Sequence, residues 1–264
     1  MSTPQLLTTV RRVATRATNG SDAPQSAGRA LGERLVAAGV VIALVAITVQ
    51  SVGHLVNELG FDGRVTLLDA DGEGTFFAWA ASVAIFAGGF VMFVHALILE
   101  WGDRSRYGAL AAVLVFLSLD EIIQVHERLG TAVGGDLLGL PGWADVRLWL
   151  VIYAPLLLVT LVLLLGAARQ ADEWPRRSIR GGVGLLVAAI AIEGSGLLTK
   201  WLEERGTDLP DVLRITVEEA TELAGWVLIA GGLTAATVTA LLRNSGDRPV
   251  FESGEEDSPR EQIS

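Results

Sequence analysis

Long stretches that are apolar on every face, rather than positions alternating in and out, dominate this chain. Runs such as Val40 to Val49 and Leu156 to Leu165 lack the short alternation of a membrane β-barrel and fit helices surrounded by lipid and by one another. A helix needs about 20 residues to cross the hydrocarbon layer. Six stretches reach that length: 34–55, 75–99, 108–130, 146–168, 181–202 and 215–242. The pattern predicts an all-α fold, a polytopic membrane helical bundle with six transmembrane helices. Residues 1–33 are expected to form a flexible arm, 34–242 the transmembrane domain, and 243–264, rich in Ser, Gly, Glu and Asp, a disordered acidic tail.

Composition agrees, with 51% hydrophobic side chains and a mean hydropathy of +0.47, too little polar surface for a water-soluble fold of this length. The first apolar run begins only at Leu35 and exceeds the length of a signal-peptide core, so it is expected to be a retained anchor. Basic residues set the orientation. With both termini cytoplasmic, that side receives the arm with Arg11, Arg12, Arg16 and Arg29, then Arg104, Arg106, Arg169, Arg176, Arg177, Arg180, Arg243 and Arg248, as the positive-inside rule requires. Trp101, Trp143, Trp149, Trp174 and Trp201 fall near predicted helix ends, where an aromatic belt lies. The expected location is the cytoplasmic (plasma) membrane, with membrane lipid as partner. Self-association into a homo-oligomer is left open, and the net charge of −10 gives no reason to expect nucleic acid.

The chain has no cysteine, which removes disulfides and thiolate chemistry. Any metal ligands must be His, Asp or Glu. The segment Ser118-Leu119-Asp120-Glu121-Ile122-Ile123-Gln124-Val125-His126-Glu127-Arg128 continues an apolar helix, and a charge at mid-bilayer costs roughly 2.5 to 3.5 kcal/mol even on lenient scales. On a continuous helical wheel Asp120, Glu121, Gln124, Glu127 and Arg128 share one face, whereas His126 falls about 100° from Glu127 and points to a different neighbour. Gln50, His54, Asn57 and Glu58 make a second polar face at the end of the first span, Glu193 and Lys200 a third, and Glu218, Glu219 and Glu222 a fourth. All four lie toward the external leaflet in this topology. There, ten acids stand against five bases, so pairing alone cannot neutralise them, and the surplus is hydrated, protonated or balanced by a cation. Asp120 and Glu193 are the least able to be hydrated. His95, near the cytoplasmic end of the second span, reads as an interfacial residue. The acidic connection 60–74, with Asp62, Asp69, Asp71 and Glu73, lacks EF-hand ligand spacing and reads as a solvated turn.

Carboxylates with imidazole suit Zn, Mn or Fe. The favoured reading is a metal-dependent membrane enzyme, a hydrolase or oxidase on a small-molecule or lipid substrate. Its expected cofactor is a divalent ion, or none. Asp120, His126, Glu127, Glu222 and His54 are the ligand candidates, Glu193 a buried acid or base, and Arg128 or Lys200 a stabiliser of negative charge. The Glu-x-x-His spacing of di-iron bundles is missing. The Glu218-Glu219 pair distantly resembles intramembrane CAAX-type proteases, but Leu223 stands where their Glu-Glu-x-x-x-Arg motif has arginine, and no family follows. The alternatives are a cation- or proton-coupled transporter or channel, suggested by Gly181-Gly182, Gly194-Ser195-Gly196 and Gly231-Gly232 beside midplane acids, and a non-catalytic scaffold or sensor in which arginine and lysine hold the acids purely for packing.

Overall fold

The computed structural model describes residues 23–69, 75–98, 101–139, 148–194 and 209–246. It is helical throughout, without strands among the described residues. The long helices are α1 (Ala23–Phe61), α2 (Phe76–Ile98), α3 (Trp101–Ile123), α5 (Leu148–Gln170), α6 (Glu173–Gly194) and α7 (Leu209–Gly246). Between α3 and α5 come a short α4 (Val125–Thr131) and one π-helical stretch (Ala132–Leu137), and a 3-10 turn (Thr66–Leu68) follows α1. Four helical segments are long and apolar enough to cross a membrane: Gly28–Phe61, Phe76–Ile98, Leu148–Gln170 and Val212–Leu242. Counting Asp103–Ile123 with Val125–Leu137 as one bent span makes five. The stretch 181–202 is covered by α6 only as far as Gly194, and its remainder lies outside the described residues.

α1 starts at Ala23, inside the stretch expected to be a flexible arm. The residues Ala30, Leu31, Glu33 and Arg34 are good helix formers, and an Arg29 to Glu33 pair at 3.1 Å, one turn apart, supports the helix there. α7 likewise runs on to Gly246. Residues 1–22 and 247–264, the rest of the arm and tail, lie outside the described residues.

Three helix pairs pack most closely among the described residues: α6 with α7, α2 with α3, and α1 with α7, where Gly39 meets Gly231. Between α6 and α7 the backbones approach closely because the contact residues are glycines. A Cβ on Gly182 would lie 2.5 Å from the Gly225 carbonyl oxygen, and one on Gly232 would lie 2.7 Å from Ile179 Cγ1. Ser178 Oγ donates to the Leu228 carbonyl across the same seam at 2.7 Å. Helices in lipid gain little from hydrophobic exclusion, so close packing and buried hydrogen bonds carry their association. Between α2 and α3 the second seam is a reciprocal clamp, in which Ser82 Oγ donates to the Ser118 carbonyl at 2.8 Å and Ser118 Oγ to the Ser82 carbonyl at 2.9 Å, both buried. Met92, Leu110, Leu114, Leu164, Ile229 and Leu233, each at most 1% exposed, fill the apolar centre.

At one end of this core, His95 is buried rather than interfacial. Its ring packs 4.5 Å from that of Tyr107, whose hydroxyl donates to Gln170 Oε1. Helix α5 carries Pro155 and, like α1, leaves large apolar side chains exposed, among them Val151, Leu158, Val159 and Val162, and it packs less closely on α3, α4 and α6 than α6 does on α7.

Gly181 has open space where a Cβ would go, unlike its neighbour Gly182. Gly182→Val should destabilise the protein by about 1–3 kcal/mol through overpacking, while Gly181→Ala should be neutral or stabilising by up to about 1 kcal/mol through helix propensity. Thermal unfolding of both variants in lipid nanodiscs checks the contrast; equal effects would mean that the seam is not set by Gly182.

Candidate functional site

The break between α3 and α4 builds the site. Gln124 takes a left-handed backbone (φ 50°, ψ 50°), a region that costs a non-glycine residue about 1–2 kcal/mol, and the two helical segments meet at 64°. The continuous wheel therefore fails beyond residue 123, and His126 does not turn away from Asp120. Asp120 instead reaches across the bend. Its Oδ1 accepts the His126 backbone N–H at 3.1 Å, and its Oδ2 lies 2.8 Å from His126 Nδ1. A carboxylate there satisfies one of the orphan donors at the start of α4 and complements the helix dipole. Tyr153 of α5 donates its hydroxyl to the same Oδ1 at 3.0 Å. Asp120 is 5% exposed, and these donors are what make an ionised carboxylate tenable at that depth.

Because a carboxylate oxygen accepts, Nδ1 of His126 is a nitrogen that carries a hydrogen. Nε2 stands 3.9 Å from Glu127 Oε1. The imidazole is fixed by an aromatic wall, with the Trp149 ring 4.6 Å and the Tyr153 ring 5.7 Å away, both edge-on. Trp149 Nε1 donates to Glu193 Oε1 at 3.1 Å, and Trp226 Nε1 to Glu222 Oε1 at 3.0 Å.

These groups surround a cavity of about 770 Å³ between α3, α4, α5, α6 and α7. One part is polar, lined by Asp120, Glu121, His126, Glu127, Glu193 and Glu222. Glu218, Glu219 and Arg214 also reach it, Arg214 hydrogen-bonded to Glu218. The other part is aliphatic, with Leu157, Leu158 and Leu161 of α5 facing Leu186, Val187 and Ile190 of α6. Among the described residues, seven carboxylates and one arginine line this chamber. Away from it, the serine clamp and the apolar centre separate the chamber from the His95 and Tyr107 group at the other end of the bundle.

Of the residues singled out by sequence, Asp120, His126, Glu127, Glu193 and Glu222 line this cavity. Arg128 is exposed and outside it, because the bend turns the helix face that a straight wheel gave it. Lys200 lies outside the described residues. His54 belongs elsewhere, packed near the 3-10 turn after α1, with Nδ1 3.8 Å from Asp69 Oδ1. Sequence reasoning missed Tyr153 and Trp226 and read Trp149 as a belt residue. The only cue was spacing: Trp149 and Tyr153 sit one turn apart on α5, and Glu222 and Trp226 one turn apart on α7.

Taken together, the described residues form an all-helical protein with four or five helices able to cross a membrane and one acid-rich chamber. The chain belongs to the family described as Domain of unknown function (DUF8692), whose model matches residues 34–236. No curated protein and no solved structure is detectably similar.

Gln124→Val places a β-branched residue in the left-handed region and should destabilise the bend by about 1–2 kcal/mol, whereas Gln124→Gly should keep it. Trp149 fluorescence reports the difference, since its ring lies against His126. A valine variant with the parent's spectrum and stability would mean that the left-handed residue does not hold the site together.

Proposed function

We propose that the protein is a six-span protein of the plasma membrane, both termini cytoplasmic, whose chamber opens in the outer leaflet and serves a metal-dependent enzyme. The observation that carries this reading is the Asp120 to His126 hydrogen bond, which orients Nε2 toward the chamber. A carboxylate holding Nδ1 of a histidine is the arrangement that fixes the ring and raises the basicity of the other nitrogen toward a metal. Nε2 and Glu127 Oε1, 3.9 Å apart, are spaced for two ligands on one ion with bonds of about 2.0–2.2 Å. Glu222 and Glu121 line the same chamber, Glu222 accepting the Trp226 indole N–H, and Glu222 is the third donor proposed. A zinc, manganese or iron ion held there would supply a Lewis acid and an activated water. Tyr153 and Trp149 hold the ligands, and Glu193 accepts or gives the proton.

The mixed lining indicates the substrate class. Acids and aromatic rings at one part and leucines and valines at the other fit an amphiphile, a lipid or lipid-like small molecule, with its polar group among the carboxylates. The long-standing alternative for buried membrane acids, a cation or proton path, is disfavoured by the apolar plug of Met92, Leu110, Leu114 and Leu233 beyond the serine clamp.

Elemental analysis of purified protein in nanodiscs tests the reading. The parent should carry zinc, manganese or iron, and Asp120→Asn and Glu222→Gln should each lower the content by about one equivalent per chain with folding retained. Metal content untouched by either substitution would defeat it, and cation flux through proteoliposomes abolished by Asp120→Asn would replace it with transport.

A further inference from the structure

His54, Glu58 and Asp69 form a second polar cluster, separate from the chamber and unused by the reading above: none of the three lines that cavity. Each offers a ligating atom, and the three atoms lie within 4.8 Å of one another. Two of them come from consecutive turns of α1, four residues apart and hence on one face. The third arrives from the chain after the 3-10 turn. What brings it back is Asn57, 0% exposed, whose carbonyl accepts the Gly63 N–H at 3.0 Å and whose Oδ1 accepts the Val65 N–H at 2.8 Å. Asp62 and Gly63 take positive φ to make this turn, and a Cβ on Gly63 would stand 3.1 Å from Glu58 Oε1, so glycine leaves room for that carboxylate.

His54 Nδ1 and Asp69 Oδ1 are 3.8 Å apart, an ion-pair distance. Two ligands on one small divalent ion at a tetrahedral angle stand about 3.3–3.6 Å apart when each bond is 2.0–2.2 Å, so an ion there draws these groups slightly together. The imidazole is 2% exposed, a depth at which a ring facing two carboxylates has electrostatic work to do. One turn below it on the same stripe, Gln50 Oε1 is buried with no hydrogen-bond partner, a further acceptor oxygen on that side of α1. Accessible carboxylates beside a single imidazole are a borderline set, suited to manganese or zinc rather than to calcium or magnesium, which take oxygen alone.

We infer that His54, Glu58 and Asp69 hold a divalent first-row metal ion, manganese or zinc, that pins the connection after α1 to the end of that helix. The turn expected to be merely solvated thereby becomes a clasp on the side of the bundle away from the chamber lining.

Titration with Mn²⁺ alone, followed by the loss of the free-ion paramagnetic resonance signal, tests this on the full chain in nanodiscs. Asp69 and Glu58 are partly exposed, so Asp69→Asn and Glu58→Gln should fold, which the thermal transition verifies. The parent should bind one equivalent that each of these substitutions weakens at least tenfold and that Asp120→Asn leaves intact. Parent-like binding in both Asp69→Asn and Glu58→Gln would overturn the inference, as would a parent whose only Mn²⁺ equivalent disappears in Asp120→Asn. A chamber without metal removes a different equivalent, the one sensitive to Asp120, so the two proposals fail separately.

Discussion

One carboxylate ties this molecule's local and global structure together. Asp120 accepts a backbone N–H and approaches an imidazole nitrogen on the far side of a helix break, and it accepts a hydroxyl from a helix distant in sequence. In hydrocarbon every polar group has to find its partner within the protein, and a break in a membrane helix releases several at once. Here the Asp120 side chain satisfies one of them, and the Asp120 and Gln124 carbonyls accept the Gln124 and Arg128 N–H groups. The bend, the orientation of His126 and the position of α5 are therefore one structural fact, because moving any of them leaves a buried charge uncompensated.

The same economy explains where acids are tolerated. Glu193 and Glu222 each accept an indole N–H, so the tryptophans supply donors without adding charge. Among the described residues the chamber lining holds more carboxylates than bases, and its aliphatic part makes the space poorly hydrated, where electrostatic interactions are strong. That imbalance is the reason a cation is proposed there.

Much of the fold was legible because lipid-facing helices announce themselves by unbroken apolar runs. The stretches at 75–99 and 146–168 differ from α2 and α5 by only a residue or two at each end. The hidden parts are those where a side chain overrides the periodic rule. No pattern marks Gln124 as a left-handed residue, since glutamine is an ordinary helix former. A straight wheel drawn beyond it separates His126 from Asp120, which the bend brings together, although Glu127 still lines the chamber with Asp120. Arg128 lost its place in the site for the same reason. Tyr153 was unreadable because it lies in a run apolar on all sides, where nothing in the sequence says which face meets a neighbour. His54 shared a depth with the other acids but not a location: depth along a helix can be counted, whereas rotation between helices is set by packing.

The glycine seam has a mechanical meaning beyond its contribution to stability. With α6 and α7 interlocked backbone to backbone, and α2 fastened to α3 through paired hydroxyls, α5 is the less closely packed wall, and Pro155 removes one backbone hydrogen bond partway along it. Leu158 on this wall is exposed, so no described residue covers it from outside. Placed in a bilayer, the chamber would have acyl chains rather than protein behind its α5 side.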